Sequence, residues 1–233
     1  MKVIILAGGY GTRLSEYTKT IPKPMVKIGN KPMISHIIDI YLKYGFDDFI
    51  IALGYKGKII KKYFKKFKKK IKITLVDTGL NTMTGGRLKK LKKFFSKNED
   101  FMVTYGDGLA NINIKRLVQF HIKHNKLVTI TAVRPPARFG ALEIKSNIVK
   151  NFREKFKKDS GWVNGGFFVM NSKFLKFIQN EKTYLEQQPL KKISQINQLI
   201  AYKHSGFWQC MDSRRDKEIL DNMIKNKNFL WLK

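Results

Sequence analysis

Three observations predict an α/β fold with a mainly parallel central sheet and helices on both faces. Short apolar runs alternate with helical patterns along most of the chain. The first run, Val3, Ile4, Ile5 and Leu6, is apolar at every position, as a parallel strand buried on both faces must be. Two of the runs lead into glycine-bearing turns, at Gly8 and at Gly106. In open α/β sheets that edge, beyond the carboxyl ends of the strands, is where ligands sit.

The elements follow in order. Residues 3–6 read as the first strand and 8–11 as its turn. Residues 32–44 carry Met33, Ile34, Ile37, Ile38 and Tyr41 at helical spacing behind Pro32, which suits a first helical turn. A strand is expected over 49–53, a helix over 59–67 and a third strand over 71–76. Gly85 and Gly86 open a helix bearing Leu88, Leu91, Phe94 and Phe95. A strand over 101–105 runs into Gly106, Asp107 and Gly108, which sets Asp107 beside the first glycine turn. A helix over 114–124, strands over 127–134, 144–152 and 166–170, and helices from Pro189 and from Asp216 complete the chain.

With 233 residues and 43% hydrophobic content the chain can bury one sizeable core, and no linker or fixed-period repeat divides it. A single domain over 1–233 is expected. No stretch approaches the ~20 apolar residues of a membrane span, and 4–7 is too short for a signal peptide. One cysteine, Cys210, suits a reducing cytoplasm. The net charge of +30, from 47 basic and 17 acidic residues, attracts polyanions even without a dedicated site. Most of the excess is lysine on apparent helix faces, such as Lys61, Lys62, Lys65 and Lys66, and reads as solvated surface, so no specific nucleic-acid partner is expected. Phe64 and Phe67, three apart, are expected to face the core while these lysines face water.

The glycine turn carries the chemistry. Gly8, Gly9 and Gly11 lack the Cβ atoms that keep phosphates from backbone N–H groups, and Arg13 adds a fork of donors suited to phosphate oxygens. No window supplies a Walker A loop, and Leu14 stands where a dinucleotide fingerprint needs its third glycine. Lys23, ahead of Pro24, is a second fixed cation, with an extended backbone expected beside the proline.

Together, Gly8 to Leu14 and Lys23-Pro24 resemble the signature of the sugar-phosphate nucleotidyltransferases. Residues 76–79, 83–88, 104–108, 138–142, 164–168 and 206–212 extend the likeness nearly along the whole chain, toward those members that use CTP and glucose 1-phosphate. The resemblance implies a Rossmann-like nucleotidyltransferase fold, with a nucleotide-binding half over about 1–125 and a sugar-binding half over about 126–233. It implies Mg²⁺, a homo-oligomer, and formation of CDP-glucose and diphosphate without a covalent intermediate, in sugar nucleotide supply for a surface polysaccharide.

By the same resemblance, Leu6, Ala7, Gly8, Gly9, Gly11, Thr12 and Arg13 surround the nucleotide together with Lys23, Thr82, Arg87 and Gly106. Arg13, Lys23 and Asp107 would carry catalysis, Asp107 and Asp212 the metal, and Glu154, Lys155, Asn164 and Gly165 the sugar phosphate. Trp208 is either a wall of the hexose pocket or core. Each residue also has a plainer reading: Asp107 as a turn residue, Asp212 as a helix N-cap, Arg87 as a helix-start arginine in solvent. His36, His121, His124 and His204 lack metal spacing, and Cys210 shows no cue of activation.

Other readings stay open. One is the same reaction with UTP, dTTP or GTP, or another hexose 1-phosphate; another is an inactive, basic nucleic-acid-binding relative. Two departures from the family stand out. Phe156 follows Glu154-Lys155 where proline is usual, and the connection between Phe67 and Val76 is short.

Overall fold

The computed structural model describes residues 1–67, 69–136, 141–153 and 161–233. The run after Lys2 becomes β1 (Val3–Ala7), buried at every position. Its glycine turn leads into α1 (Ser15–Thr18), a short hairpin of β2 (Lys27–Ile28) and β3 (Lys31–Pro32), and α2 (Met33–Leu42), with Pro32 at the N-cap. β4 (Asp48–Leu53), α3 (Gly57–Lys65), β5 (Lys72–Asp77) and α4 (Thr84–Lys90) follow, then β6 (Asp100–Tyr105), β7 (Gly108–Ala110), α5 (Ile114–His124) and β8 (Val128–Val133). The later chain holds β9 (Ala141–Lys145), β10 (Ile148–Arg153), β11 (Val163–Asn171), α6 (Gln188–Gln195), β12 (Leu199–His204), β13 (Trp208–Cys210) and α7 (Arg214–Lys225).

Seven strands form the central sheet in the order β12-β8-β11-β6-β1-β4-β5. Only β11 runs antiparallel to its neighbours, so the sheet is mainly parallel, as the alternation predicts. Successive residues of each buried strand serve opposite faces. Val3, Ile5, Phe49, Ile51, Met102 and Val169 pack under α2, α5 and α7, with Ile37, Leu117 and Leu220. Ile4, Ile50, Phe101, Val103 and Phe168 pack on the other face, under Leu88 of α4 and Ile193 of α6. Each fully buried Ile, Leu or Phe of these layers contributes about 1.5–3 kcal/mol.

Several expectations change. The helix expected to carry Leu88, Leu91, Phe94 and Phe95 ends at Lys90, and Phe94 closes a separate 3-10 turn, Lys92–Phe94, with Phe95 just past it. The single strand over 144–152 is a hairpin, β9 with β10, because Ser146 (φ 47°) and Asn147 (φ 67°) turn the chain in the left-handed region that asparagine tolerates. The strand Leu199–His204 is not foreseen; it pairs with β8 at the sheet edge, and its residues are half-buried or exposed, so it lacks a strong apolar signal. The helix over 59–67 begins earlier and ends earlier, at Gly57–Lys65. Phe64 packs against the core as expected, and the rings of Tyr63, Phe64 and Phe67 cluster with centroids 5.2–5.7 Å apart.

β11 carries an irregularity that matters for the site. Its register against β8 shifts between Asn164 and Phe168, and Gly166 has φ +80°. A Cβ there would lie 2.7 Å from the Tyr105 ring, so only glycine lets β11 approach β6 this closely. Such a bulge re-aims the residue beside it, here Asn164.

Candidate functional site

β1 and β6 are parallel neighbours with Leu6 opposite Tyr105, so the turns that leave them emerge side by side at the carboxyl edge of the sheet. Between them opens a cleft of about 490 Å³. Leu6 and Ala7 line it at the end of β1, followed by Gly8, Gly9, Gly11, Thr12 and Arg13 of the turn. Lys23, Thr82, Arg87, Gly106 and Asp107 complete the expected set, all on this one cleft.

The glycines act for different reasons. A Cβ on Gly8 would fall 2.2 Å from the Arg87 guanidinium, so Gly8 makes room for a side chain of the protein itself. Gly9 faces open space. Gly11 has φ +68°, and Thr18 and Lys23 press against it. Only Gly9 therefore matches the simple expectation of a backbone bared toward a ligand.

Arg87 is not in solvent. It is 3% exposed, and its guanidinium donates to the carbonyls of Gly8 (2.8 Å), Leu53 (3.0 Å) and Gly79 (2.9 Å) and to the Thr78 hydroxyl (2.6 Å). It fastens together the chain segments that leave β1, β4 and β5. Burial, only partly offset by Asp77, pulls its pKa down from the usual arginine value.

Lys23 lies in a 3-10 turn, Lys23–Met25, with the extended residues on either side, Pro22 and Val26, rather than next to Pro24. Proline is tolerated there because first-turn N–H groups lack helical partners. The residue is 8% exposed, and its ammonium sits 2.7 Å from Asp107 Oδ2 and 2.5 Å from Asp212 Oδ1. Burial pulls its pKa down, and the two carboxylates outweigh it, so the net shift is upward. Arg13, 74% exposed, reaches Asp212 Oδ2 at 2.8 Å. Burial pushes the Asp212 carboxyl up, and the Lys23 hydrogen bond with the Lys23 and Arg13 charges pulls it below the usual range.

The two aspartates stand 105 residues apart in sequence and meet through a small ladder. β13 pairs antiparallel with β7, with Cys210 opposite Gly108, and the Met211 N–H donates to the Asp107 carbonyl at 2.8 Å. Asp212 is not a helix cap. Ser213 caps α7 in a capping box with the buried Asp216, whose carboxylate also accepts from the Asp212 N–H. That leaves the Asp212 side chain to Lys23 and Arg13.

A smaller cavity of about 170 Å³ adjoins the first, and Arg13, Tyr105 and Asp107 line both. Asn164, Gly165, Trp208, Cys210 and Asp212 line the second. Trp208 is half-buried and donates from Nε1 to the Gly165 carbonyl at 2.8 Å, so it is a wall of this cavity and also a brace. Burial, with Asp212 and Asp107 nearby, pushes the Cys210 thiol up to about 12, so it stays protonated and inert. Glu154 and Lys155, like Arg138, Phe139 and Gly140, lie outside the described residues.

Hard oxygen donors converging on one point suit Mg²⁺ better than zinc or copper. Asp107 and Asp212 meet that test, since their carboxylates share a single cationic partner. Among the described residues no group of three or more His, Cys, Asp or Glu side chains gathers. His36 bonds the Ile28 carbonyl, and His121 and His124 both bond the Thr129 hydroxyl.

Sequence reasoning missed Tyr105, Thr84, Tyr184 and Glu186, which also line the larger cleft. A tyrosine closing an apolar strand just before Gly-Asp-Gly was a usable signal for the first. Nothing in sequence pointed to residues 184–186, which reach the cleft because Met83, Gly86 and Leu185 exchange hydrogen bonds between α4 and the 181–186 segment.

A family model described as "Nucleotidyl transferase" matches residues 2–215. The chain is 45% identical to a glucose-1-phosphate cytidylyltransferase of Salmonella typhimurium, over 99% of this chain and 98% of that one. It is 37% identical to a probable glucose-1-phosphate cytidylyltransferase of Bacillus subtilis, over 99% of each. The Salmonella alignment runs over 253 positions, more than the 233 residues here, so that protein carries segments without counterpart in this chain. Among solved structures, HddC from Yersinia pseudotuberculosis is similar with a TM-score of 0.76 at 25% identity, covering 96% of this chain and 99% of that one. A UDP-glucose pyrophosphorylase with UDP-glucose shares the fold, with a TM-score of 0.76 at 19% identity over 97% of this chain and 98% of that one.

Proposed function

The chain belongs to the nucleotidyl transferase family and, within it, to the glucose-1-phosphate cytidylyltransferases, and from that premise we propose that it joins CTP and α-D-glucose 1-phosphate into CDP-glucose and diphosphate. A phosphate oxygen of the sugar phosphate attacks the α-phosphorus of CTP in line. The new P–O bond forms as the bond to the β-phosphate oxygen breaks, and diphosphate leaves with that electron pair. The nucleophile is already anionic near neutral pH, so no general base is required.

The observation that carries this reading is the meeting of Asp107 and Asp212 on the Lys23 ammonium, at the edge where the glycine turn opens. Asp107 and Asp212 would hold Mg²⁺, which when bound neutralises phosphate oxygens and steadies the diphosphate leaving group. Lys23 and Arg13, at the same edge, match the charge that develops on the triphosphate in the transition state. The turn from Leu6 to Thr12, with Thr82, Arg87 and Gly106, shapes the nucleotide cleft. Asn164 and Gly165 hold the sugar phosphate in the adjoining cavity, with Glu154 and Lys155 assigned to the same role by the family pattern.

One domain spans both halves, so the two substrates meet across a single sheet. A homo-oligomer is the assembly this reading carries, and light scattering tests it. The free thiol of Cys210 suits a cytoplasmic setting.

Diphosphate release from a panel of CTP, UTP, dTTP and GTP against several hexose 1-phosphates tests the assignment. CTP with glucose 1-phosphate should lead by at least ~100-fold in kcat/KM, since a site paired to the cytosine edge leaves buried groups unpaired with uracil. A different leading pair would replace the substrates, and no release from any pair would overturn the enzyme reading.

A further inference from the structure

Tyr105, with Arg13 and Asp107, lines both the larger cleft and the cavity assigned to the sugar phosphate, and its hydroxyl has partners on both sides. It donates to Glu186 Oε1 at 2.6 Å and accepts from Asn164 Nδ2 at 3.0 Å. The other Glu186 oxygen accepts from the Thr84 hydroxyl at 2.7 Å, and that hydroxyl accepts from the Leu185 N–H at 2.9 Å. At the far end the Asn164 carbonyl oxygen accepts from the Gly166 N–H at 2.8 Å. The donors converge on Glu186, from Asn164 through Tyr105 on one side and from Leu185 through Thr84 on the other.

We propose that Tyr105, oriented by Glu186, is a positioning residue that fixes the Asn164 amide for the sugar phosphate and ties that side of the reaction to the Thr84 turn of the nucleotide cleft. The proposal rests on the assignment of Asn164 to the sugar phosphate made above. An amide flips unless both its ends are specified. Here the Gly166 N–H specifies the oxygen end and the Tyr105 lone pair the nitrogen end, which leaves one amide N–H to meet a sugar or phosphate oxygen. Glu186 decides which way the Tyr105 proton points, because a hydroxyl that donates to a carboxylate presents its lone pairs elsewhere. The glycines at 165 and 166 complete the arrangement, since a side chain at 166 would strike the Tyr105 ring.

Steady-state kinetics of Tyr105→Phe, Glu186→Ala, Glu186→Gln and the double variant Tyr105→Phe/Glu186→Ala test this, with KM read separately for each substrate. Tyr105→Phe keeps the ring and should raise KM for glucose 1-phosphate about 5- to 10-fold, the worth of one neutral hydrogen bond, with KM for CTP changed less than about twofold. Glu186→Ala should do the same, and Glu186→Gln, which keeps an acceptor for Tyr105, should restore most of the loss. The double variant should be no worse than Tyr105→Phe, because both act through one hydroxyl. Equal rises in both KM values, an unchanged KM for the sugar phosphate, or additive losses would each overturn the proposal. Wild-type turnover on the substrate panel separates the two claims. If another pair leads, the split is read with that pair, and a wild type that turns over none overturns both.

Discussion

Two sets of lysines divide this molecule. Along α3, Lys58, Lys61, Lys62 and Lys65 are exposed, and they add charge without shape. At the carboxyl edge of the sheet, Lys23 is 8% exposed and held by two carboxylates on its ammonium. Of the +30 net charge, the first set says nothing about function, whereas one lysine of the second kind marks the site. Arg87 shows a third use, a buried cation spent on backbone carbonyls rather than on ligand. The difference lies in placement, since a charge in water interacts weakly with everything and a charge in a cleft interacts strongly with one partner.

The comparison breaks most sharply at Lys23. Lys23→Ala should lower kcat at least ~100-fold, and unchanged turnover would place Lys23 with the ornamental lysines. The same variant brings Asp107 and Asp212 together without the ammonium between them. Mg²⁺ should therefore raise its thermal midpoint more than that of the wild type, because a ligand stabilises the state that binds it; equal shifts in the two proteins would argue against a shared metal pair.

Arg87→Ala sharpens the contrast between a cation for ligand and a cation for fold. It strips donors from two buried carbonyls, a part-buried one and a hydroxyl, so chemical denaturation should show a loss of about 3 kcal/mol, with a loss under 1 kcal/mol defeating the clamp role. A smaller effect comes from pH. The folded pKa of Asp212 is depressed below 3.8, so its carboxylate stabilises the fold above 3.8 and the contribution is lost as pH falls through the folded value. The midpoint gap between wild type and Asp212→Asn, both without metal, should be steady near neutrality and close below pH 3.8, and a gap that widens in acid would contradict the pairing. Least of all, replacing Lys61, Lys62 and Lys65 by Gln should leave kcat unchanged and stability within about 0.5 kcal/mol; a measured fall in turnover would give α3 a role in the reaction.

Much of the fold was legible. Continuous apolar runs such as Val3–Ala7 announce strands buried on both faces, and the spacing of Ile34, Ile37 and Ile38 announces α2. The strand Leu199–His204 was not, because an edge strand half in water needs no strong pattern and takes its identity from β8 beside it. The turn at Ser146-Asn147 was present in the residues and overlooked, since nothing local distinguishes a hairpin from one long strand when both arms carry apolar residues.

What the chain's own order of residues determined is the list of parts: the glycine turn, the cations at 13 and 23, and acidic residues after two short strands. Local chemistry suffices for these, because glycine freedom, strand burial and helix capping act over a few residues. Only the tertiary structure decided their assembly. The β7–β13 ladder set Asp212 against Asp107, the bulge in β11 turned Asn164 toward Tyr105, and Gly8 yielded its space to Arg87 rather than to a ligand. Those contacts join residues some 60 to 105 positions apart, and their energies depend on packing and hydrogen bonding that no local window of sequence contains.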